Sequence, residues 1–330
     1  MSASFFDRGI SKMKEMMYNE NRICISERMK GMIKQYLLGF LEEFSYEEED
    51  RAALTAAFEK IAASTELYEE FAELLKRYEE DMNCDFEAIR EAMKETSAKA
   101  GVHEYTGQLL LFICLSKTMR DYYKKAGLNE EIWFTTVCDL KYKMVECKEV
   151  YKICGTFVAP WFDRFYKLER FGFEKLQFEF IPFGMEYNKN GVALKPDSTV
   201  INVHIPRTGA RLDREGMVSA YQKAADFFRE KLEGNPIVFV CWSWLLFPRN
   251  KEILSETSNL YAFISDFDVF YHEEYPDYSD VWRLFDVNYD GNVDHLPQNT
   301  SLRRAYADWI RKGEKTGFGY GVYVYEKKRS

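Results

Sequence analysis

The 330-residue sequence has no uninterrupted apolar run near the roughly 20 residues that a membrane-spanning helix needs. Its best run, Leu109 to Leu115, is followed at once by Lys117 and Arg120. The first residues, MSASFFDRGISKMKEMM, carry charge but neither the apolar core nor the cleavage site of a secretory signal, so secretion is not expected. Basic excess is missing too. Lys and Arg total 45 against 54 Asp and Glu, a net charge of −9, which weighs against nucleic acid as a partner. The seven cysteines are an odd number, scattered, with no CxxC pair, so we expect reduced thiols in a cytoplasmic protein and no metal site.

Glycine and proline barely interrupt the chain from Glu27 to about Lys152, and the apolar spacing there is helical. Ile33, Leu37, Phe40, Leu41 and Phe44 form one stripe, and Leu54, Phe58 and Ile61 another. Ser45 and Glu48 stand at capping-box spacing before the second helix. A third helix carries Leu67, Phe71, Leu74, Leu75 and Tyr78, and Asn83 or Asp85 can cap a fourth. Two more are expected over Leu109 to Tyr123 and Ile132 to Val150.

Near Gly155 aromatic residues become dense and period-two segments appear, which places a domain boundary there: 1–154 helical, 155–330 sheet-bearing. Three strands are expected at Phe173 to Phe183, Thr199 to Ile205 and Ile237 to Leu246. A helix over Asp213 to Leu232 separates the last two, making a βαβ unit with parallel pairing. The tail adds expected strands at Phe267 to His272 and Val281 to Val287, a helix over Ser301 to Arg311 and a final strand at Phe318 to Tyr325.

Alternation sorts the polar side chains of the three main strands onto single faces. Lys175, Gln177 and Glu179 share one face, Asn202 and His204 another, and Cys241 and Ser243 a third. Polar groups recurring on one face of a buried strand suggest a lined cleft, although satisfied core polar groups would read alike. The loop PRTGARL, Pro206 to Leu212, leads from a strand into a helix, where free backbone N–H groups suit a phosphate. DVNYDGNVD, from Asp286, imitates the start of an EF-hand loop, but position twelve is Pro297 in place of the chelating Glu, so no calcium site is expected.

In order and spacing, LERFGFEKLQFEF (Leu168 to Phe180), INVHIP (Ile201 to Pro206), CWSWLLFP (Cys241 to Pro248), SNLYAF (Ser258 to Phe263), LPQNTSLRRA (Leu296 to Ala305) and GFGYG (Gly317 to Gly321) resemble a bacterial two-domain acyltransferase family. TTVCDL (Thr135 to Leu140) looks like that family's helical half. The resemblance implies an all-helical N-acyltransferase N-terminal domain followed by a GNAT-like mixed β-sheet domain with flanking helices. It implies acetyl-CoA or another acyl-CoA as co-substrate and a small-molecule or peptide amine as acceptor.

The acyl-CoA arm would enter where the second and third strands splay, against the backbone of Val203 and Ile205. Arg207, Thr208, Gly209, Ala210 and Arg211 would face the pyrophosphate, with Asn259 as a further cofactor contact. This loop departs from the superfamily's phosphate pattern, since Arg207 is followed too soon by Gly209 and no second glycine follows. Glu179 and His204 are the candidate bases, and Tyr261 the candidate acid for the leaving thiolate. Gln177, Asn202, Cys241 and Ser243 would line the substrate. The competing reading is a GNAT-like module that binds or senses a CoA derivative or peptide without turnover.

Overall fold

The computed structural model describes residues 27–209, 212–232 and 236–326. The chain divides into two compact units, Met1–Thr118 and Met119–Ser330. No helix among the described residues is long and apolar enough to cross a membrane.

The first unit is helical: α1 (27–43), α2 (Glu48–Ala62), α3 (Thr65–Glu80), α4 (Phe86–Lys99) and the start of α5 (Glu104–Lys125). The stripes meet as their spacing requires. Leu37, Phe40 and Leu41 are buried with Leu54, Phe58 and Ile61, Phe71, Leu74 and Tyr78, and Leu109 to Ile113. Each such side chain contributes roughly 1.5–3 kcal/mol by leaving water. Ser64 caps α3 by accepting from the Leu67 amide, and Asp85 caps α4 by accepting from Ala88. Ser45 does not cap α2. It sits in a turn at φ 51°, and Glu47 precedes the helix without a side-chain cap bond. An open cleft of about 750 Å³ in this unit is floored by Met29, Met32, Ile33, Tyr36 and Leu75.

In the second unit, after α6 (Glu130–Tyr151), come a 3₁₀ turn (Ala159–Phe162) and α7 (Asp163–Tyr166). Strands β1 (Arg170–Phe173), β2 (Leu176–Pro182), β3 (Tyr187–Lys189), β4 (Val192–Leu194) and β5 (Thr199–His204) precede α8 (Arg214–Phe228). Then follow β6 (Val238–Ser243), α9 (Asn250–Ile253), α10 (Asn259–Ser265), β7 (Asp268–Glu274), α11 (Trp282–Phe285), α12 (Ser301–Arg311) and β8 (Gly317–Val324). The main sheet runs β1-β2-β5-β6-β8-β7, and β5–β6 is its parallel pair, as the βαβ reading requires. The rest pair antiparallel, giving the mixed sheet with flanking helices.

Two expectations change. The strand expected from Phe173 to Phe183 is a hairpin, because Glu174 adopts φ 53° and folds β1 back on β2; Lys175 therefore lies in the turn and ion-pairs with Asp213. Val281 to Val287 is not a strand. Its apolar residues fit one helical turn equally well, α11 buries Phe285, and Asp286 ends the turn at φ 64°.

Close approach explains two glycines. A Cβ on Gly172 would lie 2.9 Å from the Thr135 carbonyl, so its absence seats α6 on β1, where the Gly172 amide bonds the Thr136 hydroxyl at 2.8 Å. A Cβ on Gly319 would lie 2.1 Å from the Leu246 carbonyl oxygen.

Candidate active site at the parting of two strands

The β5–β6 ladder is short. Its register pairs are Ile201↔Phe239 and Asn202↔Val240, beyond which Val203 and His204 part from Cys241, Trp242 and Ser243. On the other side of β5, register with β2 sets Glu179 opposite Asn202 and Gln177 opposite His204. The parity expected from alternation therefore holds for these four residues, and it brings them together on one face.

Glu179, 2 % exposed, is the hub. Its Oε1 accepts from His204 Nε2 at 2.6 Å, Asn202 Nδ2 at 3.2 Å and Arg170 Nη2 at 3.1 Å. Its Oε2 accepts from Arg170 Nε at 3.0 Å and lies 3.0 Å from Arg164 Nη1. Burial alone would raise the Glu179 carboxyl, but the His204 hydrogen bond and the charges around it outweigh that and hold it at about 2. An ionised carboxylate only accepts, so His204 Nε2 carries the bonded proton. Burial lowers the His204 pKa below its ordinary 6.5, and the Arg170 and Arg164 charges lower it further, against the pull of Glu179. The neutral ring then keeps a lone pair on Nδ1, with 19 % of the side chain exposed. Trp161 stands against this ring at 4.8 Å between centroids and 82° between planes, and Arg170 covers the Trp161 face at 3.9 Å.

Other expected residues fall elsewhere. Cys241 is buried and its thiol is pushed up by desolvation, and register puts it with Ser243 on the face opposite His204. Ser243 instead caps a 3₁₀ turn through the Leu245 amide. Beyond Val240, the residue of β6 on the His204 face is Trp242, 51 % exposed and stacked on Phe318 at 4.3 Å. Tyr261 lies in α10 beneath Lys251, and among the described residues none of its contacts reaches Glu179 or His204. Asn259 opens the same helix, whose cap is Ser258.

Val203 is buried in β5, and Ile205 just follows that strand. In the loop beyond, Arg207 makes a bidentate pair with Asp286, at 2.7 Å through Nη2, and so does not stand free for a phosphate. The Thr208 amide bonds the Pro206 carbonyl, and Gly209 has φ 72°. Ala210 and Arg211 lie outside the described residues. Asp213 caps α8 through the Gly216 amide at 2.8 Å, which occupies one of the N–H groups at that helix end. Asp286 also pairs with Arg303, so the carboxylate that would open the EF-like loop is already neutralised.

Arg164, Arg170 and Trp161 were not among the residues expected here. Arg170 was legible once the hairpin turn is placed at Glu174, since it then faces Glu179 across β1–β2. Trp161 and Arg164 arrive from the preceding helical turns, and no spacing announces them.

This architecture defines an acyltransferase of the GNAT-like class. Residues 168–323 match the GNAT-like C-terminal domain and residues 35–168 the N-acyltransferase N-terminal domain. The chain belongs to the two-domain N-acyltransferases that join them. Among curated proteins none matches it. It is similar in fold to a crystallised acyltransferase in complex with decanoyl-CoA and teicoplanin, at TM-score 0.63 and 18 % identity over 86 % of each chain. A mutant acyltransferase in complex with octanoyl-CoA gives 0.65 and 18 % over 87 % of this chain and 86 % of that one. An acyltransferase with decanoyl-CoA alone gives 0.60 and 20 % over 82 % and 83 %.

Proposed function

We propose that the enzyme moves an acyl group from an acyl-CoA thioester to an amine, with His204 as the base and Glu179 as the group that fixes its tautomer. The observation that carries this is the Glu179–His204 pair at the strand ends where β5 and β6 part. Glu179, held at about 2 and surrounded by donors, takes up a proton poorly; His204 Nδ1 is the available lone pair. The acceptor loses a proton to Nδ1, directly or through water, as its nitrogen bonds the thioester carbonyl. The C–S bond then breaks with its electrons on sulfur, and the thiolate takes a proton from the imidazolium. The products are an amide, free CoA and the second proton of the original ammonium.

The neighbours' ligands favour medium chains: octanoyl- and decanoyl-CoA occupy them, and one also holds teicoplanin. We therefore extend the expected acetyl donor to medium-chain acyl-CoA, with a small-molecule or peptide amine as acceptor. A non-catalytic CoA sensor is the second reading, supported by the engagement of Arg207 with Asp286. Thiol release with acetyl-, octanoyl- and decanoyl-CoA and a panel of amines separates the two. His204→Gln should lower turnover by about 10²- to 10⁴-fold while acyl-CoA still raises the melting temperature. Thermal stabilisation by acyl-CoA without transfer to any amine supports the sensor; normal turnover by His204→Gln removes the base assignment.

A further inference from the structure

Asp139, in α6, is fully buried and stands one side chain away from His204. Its Oδ2 accepts the indole N–H of Trp161 at 2.9 Å, and Trp161 is the ring that walls His204. Burial raises the Asp139 pKa, while the Lys143 charge, the Gln177 side chain and the indole N–H pull it down, and Gln177 is the cross-strand register partner of His204. Asp139 Oδ1 and Gln177 Oε1 have no hydrogen-bond partner among the described residues. A buried carboxylate whose hydrogen-bond donor is a neutral indole is costly even with the Lys143 charge near it, and an apolar side chain would fill the space with less penalty.

The geometry supplies a reason for it. One hydrogen bond to Glu179 fixes the position of His204 Nε2 but leaves the ring free to turn about that bond. The plane of the ring, and hence the direction of Nδ1, is set by what stands beside it. Trp161 stands there, clamped by Arg170 over its face and by Asp139 at its N–H. We propose that Asp139 is a positioning residue for acyl transfer, holding Trp161 so that His204 presents Nδ1 in one direction. This rests on His204 being the base.

The test uses the full chain with Asp139→Leu, Asp139→Asn and Trp161→Phe. Asp139→Leu should lower kcat by about 10- to 100-fold with the acyl-CoA KM nearly unchanged, because misplacement of a catalytic group by about 1 Å costs on that order. Asp139→Asn should stay within a few-fold of wild type, since an amide oxygen still accepts the indole N–H. Trp161→Phe keeps a ring but loses the donor, and should fall with Asp139→Leu; it also carries the test if the Leu variant does not fold. Imidazole nitrogen NMR of His204 gives a readout without turnover: one Nε2–H form in wild type and Asp139→Asn, a mixed or broadened signal in Asp139→Leu and Trp161→Phe. Unchanged kcat and spectrum in Asp139→Leu and Trp161→Phe would overturn the proposal, as would an Asn variant as impaired as the Leu variant. Should wild type acylate no amine while the spectra still separate the variants, the positioning stands and the assigned activity falls.

Discussion

Glu179 and Asp286 are both buried carboxylates gripped by two arginines, Arg170 and Arg164 in one case and Arg207 and Arg303 in the other. Around Glu179 a titratable imidazole and an amide join the cluster, and burial, helped by the charges of Arg170 and Arg164, lowers the His204 pKa and keeps the ring neutral. Around Asp286 no imidazole takes part among the described residues, and the carboxylate ties the loop after β5 to α12. The same two-to-one motif thus tunes a proton acceptor in one place and fastens backbone in the other. What distinguishes them is the third partner.

The largest effect should follow from Glu179→Gln. It leaves Arg170, only 6 % exposed, without its counter-charge, and breaking a buried pair in this way costs about 3–5 kcal/mol. Urea unfolding measures it, and a loss below about 1 kcal/mol would place Glu179 with the weak surface pairs. Asp286→Asn should cost less, about 1–3 kcal/mol, because Arg207 is partly solvated. It also releases Arg207 beside the loop, so acyl-CoA affinity by calorimetry should rise severalfold; a fall would show that the loop must be fastened to bind.

The smallest effect is in pH. With the His204 pKa lowered in the folded state, the unfolded chain takes up its proton first as pH falls through 6.5. Stability from this group is therefore full above 6.5 and declines below it, towards the lower folded value. The acid limb of kcat/KM should likewise lie below 6.5, and a limb above 6.5 would contradict a ring held neutral by burial and by Arg170 and Arg164.

Much of the fold was legible because period and punctuation agreed. The helical stripes, the Asp213 cap, the βαβ unit and the Ser301 to Arg311 helix all follow from local pattern. The β3–β4 hairpin was legible too and went unread: Asn190 and Gly191 take φ 52° and 76°, the double positive pair that favours this dipeptide in a two-residue turn. At the site, alternation grouped Gln177, Glu179, Asn202 and His204, because each strand's parity is local information. Which face of β6 joins them is not local. It depends on the pairing of Asn202 with Val240, so Cys241 and Ser243 were assigned where Trp242 stands.

The two-rung β5–β6 ladder has a mechanical consequence. At the level of the sheet, β1-β2-β5 and β6-β8-β7 meet through Ile201 and Asn202, while Tyr221 of α8 spans them by touching both Phe178 and Phe239. An extended ligand that bonded backbone on both β5 and β6 in this parting would act as a splint across the seam. Its binding should slow amide exchange at Val203 and His204 and bring the two flanks to a single unfolding event, so that substrate occupancy and sheet cohesion rise together.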